Sequence, residues 1–241
     1  MLYNHIMDYN IIIENLLNKQ GIDYNEDIKN KLNIYYNFLV EYNNKINLTA
    51  ITDIEGVYIK HFSDSVLGAK FIKQNTNVCD IGTGAGFPGV VLKIVRPDIK
   101  LTLVDSLNKR VVFLKSLLEK LGIKDAVVLH NRAEDIDLKN KYLNSFDYVV
   151  ARAVASLNTL TEYCLPFVKV GGQFIAYKSN EINTELTEAQ KAINLLGGKL
   201  SEICCEKLDN HIERSFVIID KIQNTSEKYP RGQNKPRIKP I

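Results

Sequence analysis

The sequence predicts an α/β fold: a mostly parallel seven-stranded sheet with helices on both faces, preceded by a helical N-terminal extension. Three observations predict it. From residue 77 onward, short apolar runs alternate with segments of helical period. The first such junction carries three closely spaced glycines. The next apolar run ends on an acid, Asp105.

Residues 1–72 form the helical extension in this reading, followed by a core at 73–223 and a basic tail at 224–241. Segments 9–18 and 28–42 place apolar residues at i, i+3 and i+4, the second with Ile28, Leu32, Tyr35, Tyr36 and Leu39. Residues 47–51 turn into a new helix, with Thr52 and Glu55 as a capping box, and residues 60–66 continue it. In the core, strands are expected near 77–81, 100–104, 126–130, 145–151, 172–177, 200–206 and 213–222. Helices are expected near 88–96, 107–121, 156–168 and 181–196. Ser106 is the expected N-cap of the second of these, with Leu107, Val111, Leu114 and Leu118 on one face. The last two strands are expected to be antiparallel.

The segment Asn77-Val-Cys-Asp-Ile-Gly-Thr-Gly-Ala-Gly-Phe-Pro-Gly89 joins a buried strand to a helix through Gly82, Gly84 and Gly86. Such a turn brings a nucleotide-like ligand against bare backbone at the carboxyl edge of a parallel sheet. The G-x-G-x-G spacing departs from the G-x-G-x-x-G dinucleotide fingerprint, and no Gly-Lys-Ser/Thr of a P-loop follows. Asp105 lies 19 residues after Gly86, where a carboxylate can accept hydrogen bonds from both ribose hydroxyls. A dinucleotide or S-adenosylmethionine would suit these features. Asp80 at the strand tip favours S-adenosylmethionine, because a carboxylate there suits the cationic methionyl portion. Residues 130–134 end the third strand on the edge expected to hold adenine.

Arg152 ends the fourth strand, at the position facing a transferred methyl group, and Lys178 ends the fifth on the same edge. Neither the Asn/Asp-Pro-Pro-Tyr/Phe of amino-methylating enzymes nor the Pro-Cys of cytosine-C5 enzymes is present. Arginine without a cysteine or an obvious base suits a nucleophile with no proton to remove, such as guanine N7. Arginine can pair with guanine O6 or hold a phosphate; its alternative here is a structural ion pair.

Composition sets looser bounds. The chain has 241 residues, 45% hydrophobic content and a net charge of +3. Residues 228–241 hold five basic side chains and no acidic one, with prolines 230, 236 and 240 expected to keep the tail from being helical. The tail reads either as a solvated basic terminus or as an RNA-contacting arm. No secretory signal or membrane-spanning run is apparent. Cys79, Cys164, Cys204 and Cys205 lack metal-ligand spacing, and the histidines at 5, 61, 130 and 211 are scattered. These features lead to the expectation of a cytoplasmic protein with reduced cysteines, no metal and no membrane partner, acting as a monomer.

Several motifs then carry a resemblance: Asn47-Leu-Thr-Ala-Ile, Lys60-His-Phe-Ser-Asp-Ser, Asp80-Ile-Gly-Thr-Gly-Ala-Gly-Phe-Pro-Gly, Val104-Asp-Ser-x-x-Lys-Arg, Arg132-Ala-Glu, Ala151-Arg-Ala-Val-Ala and Tyr229-Pro-Arg. Together they resemble the RsmG family, also called GidB. The resemblance implies a Rossmann-like class I S-adenosylmethionine-dependent methyltransferase. Its substrate would be N7 of a guanine in 16S ribosomal RNA, met as free RNA, small subunit or precursor. Carried over by residue, Gly82 and Phe87 would contact the cofactor along the turn of Asp80, Gly84 and Gly86. Asp105 would take the ribose, Ala133 and Glu134 the adenine side, and Arg152 the pocket near the methyl. Lys60, His61, Lys178 and Arg231 are basic candidates for RNA contact.

Three rivals are weighed against this reading. An NAD-dependent oxidoreductase would lack one residue of its glycine pattern. A non-catalytic RNA-binding protein leaves the intact turn and Asp105 unexplained. A small-molecule methyltransferase fits less well with the basic tail and the cations at the strand ends.

Overall fold

The computed structural model describes residues 2–152, 155–179, 182–208 and 213–241. Ala153 and Val154 of one family motif, Glu181 at the start of an expected helix, and His211 lie outside the described residues.

Seven strands form one sheet: β1 (Asn77–Ile81), β2 (Lys100–Asp105), β3 (Ala126–His130), β4 (Phe146–Arg152), β5 (Val168–Lys178), β6 (Gly198–Lys207) and β7 (Glu213–Lys221). Their order is β3-β2-β1-β4-β5-β7-β6. The first five run parallel, and β7 pairs antiparallel with both β5 and β6. Alternation of side chains dictates two cores. Val78, Val150 and Ile175 face one layer, while Cys79, Val149, Ala151 and Phe174 face the other.

The first layer contains α1 (Leu2–Asn18), α2 (Glu26–Ile46), α5 (Gly89–Val95) and α6 (Asn108–Lys120), which contribute Ile13, Leu32, Val90 and Leu114 among others. Helix α2 is positioned by its N-cap, Asn25, whose side chain accepts from the Ile28 amide. The opposite layer contains α7 (Ile136–Tyr142), α8 (Leu157–Cys164) and α9 (Asn183–Leu195), which bury Leu138, Leu160 and Ala192. Between α2 and β1 the chain winds through α3 (Ile54–Gly56), a π-helix (Val57–Ser63), α4 (Asp64–Val66) and a 3₁₀ turn (Leu67–Phe71).

Several local expectations are corrected. Asp53, not Thr52, caps α3, accepting from the Gly56 amide at 2.7 Å. Leu107 occupies the N-cap position of α6 and is 43% exposed, so it leaves the apolar face that Val111, Leu114 and Leu118 form. Ser106, the expected N-cap, lies one residue before that position, and α6 has no side-chain cap; Asp105 accepts from the Leu107 amide at 2.9 Å and so fixes the entry to the helix. The helix expected over 156–168 ends at Cys164 and passes into a 3₁₀ turn containing Pro166, which cannot donate an amide. Helix α7 was not expected, because its seven residues hold too few apolar positions for a clear period. The proline-bearing tail does turn helical, at α10 (Lys235–Ile238), where Pro236 sits in the first turn and needs no amide partner.

Order 3-2-1-4 makes β1 and β4 neighbours whose onward connections leave in opposite directions, which opens a crevice beyond their carboxyl ends. Asp80 pairs in register with Val150. The glycine turn after Ile81 and Arg152 at the end of β4 therefore meet across that crevice.

Candidate active site

A cleft of about 800 Å³ occupies this crevice. Gly82, Gly84, Phe87, Asp105, Ala133, Glu134 and Arg152 line it, as do Lys60, His61 and Lys178. Asp80, Gly86 and Arg231 do not line it.

Each of them has a structural task instead. Asp80 is fully buried beneath the turn, where its Oδ2 accepts from Thr83 Oγ1 at 2.7 Å and from the Gly89 amide at 2.8 Å. Burial raises its pKa to about 6, against the lowering effect of those two bonds and of Arg152. Gly86 has φ +102, and a Cβ there would lie 2.6 Å from Tyr35 Oη and 2.8 Å from Val90 Cγ2. Gly84 differs: its φ is +61, but the space a Cβ would enter is empty. It is the glycine whose missing side chain leaves the cleft open. Tyr35 Oη donates to Ala85 O at 2.5 Å, so a side chain from α2 holds the turn from behind.

Asp105 takes the Gly84 amide on Oδ2 and the Leu107 amide on Oδ1, both at 2.9 Å, with Arg110 Nη1 3.4 Å from Oδ2. The carboxylate is thereby oriented, and Oδ1, with one donor, keeps a second lone pair for a ligand hydroxyl. Further along, Ala133 and Glu134 follow β3, with Glu134 3.6 Å from Arg132. Tyr163 of α8 also lines this end.

At the other end, charge replaces backbone. Asp64, 1% exposed, holds Arg152 Nη1 at 2.7 Å on one oxygen and Arg214 Nε at 2.8 Å on the other. Arg152 also reaches the Lys60 and His61 carbonyls of the π-helix, at 3.5 and 3.4 Å. Thus the structural ion pair that sequence reasoning set against a functional Arg152 is present, yet Arg152 still lines the cleft. All its hydrogen bonds run from Nη1, leaving Nε and Nη2 without a partner among the described residues. Its guanidinium lies over the Phe87 ring, 5.2 Å from the centroid. Phe87 stacks between Tyr35 (5.2 Å) and His61 (4.5 Å).

The basic candidates divide accordingly. Lys60 is exposed. His61 shares a 3.0 Å hydrogen bond with Thr49 Oγ1, and burial followed by the Arg152 charge lowers its pKa to about 4. It is a neutral imidazole near pH 7, not a cation. Lys178 is paired with Glu185 at 2.6 Å and donates to Ala155 O. Arg231 is held by Glu162 on the far side of α8, at 2.8 and 2.6 Å. Sequence reasoning missed Asp64, Arg214 and Tyr163, as well as Asn234 and Arg237 from the tail. Only Asp64 left a signal, since it lies in the quoted Lys60-His-Phe-Ser-Asp-Ser motif. No cysteine lines the cleft, and among the described residues no group of three or more His, Cys, Asp or Glu could hold a metal ion. No helix among them is long and apolar enough to cross a membrane.

Comparison with known proteins agrees with this geometry. Among solved structures, the chain is similar to M. jannaschii TYW2 in complex with AdoMet (TM-score 0.57, 13% identity, 72% of this chain and 80% of that one). It is also similar to an S-adenosylmethionine-dependent O-methyltransferase from Thermotoga maritima (TM-score 0.51, 16% identity, 78% and 73%). At these identities the likeness is one of fold. By sequence it is 49% identical to the ribosomal RNA small subunit methyltransferase G of Staphylococcus epidermidis, over 93% of this chain and 95% of the relative. With the protein of that name from Alkaliphilus metalliredigens, identity is 45% over 98% and 100%. The family model described as rRNA small subunit methyltransferase G matches residues 28–216, and the chain belongs to that family, GidB.

Proposed function

We propose that this protein transfers a methyl group from S-adenosylmethionine to N7 of a guanine in 16S ribosomal RNA of the small subunit. The observation that carries the reading is the division of the cleft. One end offers glycine backbone and an oriented carboxylate, and the other a pair of arginines on one buried aspartate, with no cysteine between them. Gly82 and Gly84 leave room for the cofactor chain beside Phe87. Asp105 accepts from the ribose hydroxyls, and Ala133 and Glu134 face the adenine. Asp80 acts from beneath, by holding Thr83 and the Gly89 amide in place.

S-adenosylmethionine, held by Gly82, Gly84, Phe87 and Asp105, would supply an electrophilic methyl group at the arginine end, and guanine N7 would offer it a lone pair with no proton to lose. No proton is released, which matches a cleft where alignment does the catalytic task. A guanine methylated at N7 would carry a positive charge. Asp64 keeps Arg152 partly neutralised as that charge arrives, while the unused Nε and Nη2 hold O6 or a phosphate oxygen. Lys60, exposed at the cleft rim, contributes to RNA affinity.

Labelled methyl incorporation into 16S RNA, small subunits and their precursor, followed by mapping of the modified base, tests the assignment. Arg152→Lys retains the charge and loses the planar fork, so turnover is expected to fall well beyond any loss of stability. Methylation at another atom, or wild-type turnover in Arg152→Lys, would overturn the corresponding part of the reading.

A further inference from the structure

The C-terminal segment does not behave as the free basic arm that its composition suggests. Tyr229, Pro230 and Pro236 are buried, and Glu162 of α8, 1% exposed, accepts from both the side chain and the backbone amide of Arg231. A carboxylate that deep inside the protein needs its partner, so the contact acts as a latch. Past it, Thr159 Oγ1 donates to Pro236 O at 3.0 Å and Tyr163 Oη donates to Asn234 Oδ1 at 3.2 Å. These anchors carry Asn234 and Arg237 to the cleft, where they line the end that also holds residues 131–134. Burial raises the Tyr163 pKa, with Glu134 adding to the rise and Arg237 opposing it.

We propose that residues 225–241 are a strap that forms the outer wall of the adenosine end of the cofactor site. Asn234 and Arg237 are its binding residues, and the Glu162–Arg231 pair is the latch that positions them. This inference rests on the assignment of that end to adenosine. Asn234 offers a side-chain amide for the ring edge, and Arg237 a planar cation that can lie along the ring face. The order of the strap is paid for by folding, so the ligand meets a preformed wall.

Calorimetric titration of the full chain with S-adenosylmethionine and with 5′-methylthioadenosine, which lacks the amino-acid part, tests the inference. The double variant Asn234→Ala/Arg237→Ala should bind both ligands roughly tenfold more weakly, the weight of about one lost hydrogen bond. Its melting temperature should fall less than that of Arg231→Gln, because the double variant gives up the Tyr163–Asn234 bond but leaves buried Glu162 paired with Arg231. Arg231→Gln, which opens the latch, should weaken both ligands and also lower the melting temperature. Wild-type affinity for both ligands in the double variant overturns the strap, as does weakening confined to S-adenosylmethionine, which would place it at the methionyl end. A wild-type chain that binds neither ligand instead overturns the cofactor assignment itself.

Discussion

The two ends of the cleft are built in opposite ways. The glycine turn and its carboxylate are assembled from residues 80–107, and backbone amides are the groups held: Gly84 N to Asp105, Gly89 N to Asp80, Gly82 N to Val104 O at 2.9 Å. The arginine end is assembled from residues 64, 152 and 214, which the chain brings together only by completing the sheet. The first follows from strand–turn–helix geometry that any chain of this pattern must adopt. The second depends on side-chain charges matched across three distant segments. A backbone-held site tolerates side-chain change outside its glycines, whereas a charge-matched site fails when one partner is lost.

Asp64→Ala tests that contrast most severely. It leaves two arginines, 12% and 26% exposed, without their carboxylate. Removing one member of a buried charged cluster costs about 3–5 kcal/mol. Urea denaturation is expected to show a loss of that order together with lost turnover, and a change under about 1 kcal/mol would mean that the arginines find other partners.

A pair of glycine variants separates fold from ligand at the other end. Gly86→Ala forces a Cβ to 2.6 Å from Tyr35 Oη at φ +102, and overpacking with strain costs about 2–3 kcal/mol. Gly84→Ala meets open space and carries only the left-handed backbone penalty, about 1–2 kcal/mol. The expected signature is a reversal: Gly86→Ala is the less stable protein, and Gly84→Ala the poorer cofactor binder relative to its stability. Melting curves with and without cofactor check it.

His61 gives the arginine end a pH signature. The unfolded imidazole takes a proton below about 6.5 and the folded one only below about 4, so the unfolded state binds more protons between those values. Native stability therefore falls as pH drops through that window. At pH 5 the wild type should have lost about 1–2 kcal/mol more than His61→Asn, taking pH 7 as reference. Parallel stability curves for the two proteins would show that burial does not restrain this ring.

The smallest effect belongs to Lys60, which is exposed. Lys60→Ala should leave stability and cofactor affinity unchanged while weakening RNA binding and lowering the salt slope by about one. An unaltered slope would remove Lys60 from the RNA face.

This contrast also explains what could be read from the sequence. The sheet, both ends of six of its seven strands, and the cluster of Gly82, Gly84 and Asp105 follow from periodicity and short-range spacing, while Phe87 comes only with the family resemblance. Strand β5 starts earlier than expected because Val168 pairs with Phe146 across a register shift, beyond the glycines at 171 and 172 that interrupt the apolar run. What spacing cannot show is which charges find one another. The ion pair weighed for Arg152 has no named partner until Asp64 is placed beside it, and nothing near Arg231 in sequence announces its pairing with Glu162. The triplet of glycines likewise reads as one unit, although only Gly82 and Gly84 face the cleft and Gly86 is held against Tyr35.

That last contact ties the glycine turn to helix α2, through Tyr35 Oη and Ala85 O. A ligand that settles the turn thereby settles the helix behind it, and the two share one opening equilibrium. Cofactor at a hundred times its dissociation constant stabilises the bound form by about 2.7 kcal/mol. Amide hydrogen exchange in α2 is therefore expected to slow on cofactor binding, reporting occupancy from a segment that does not touch the ligand.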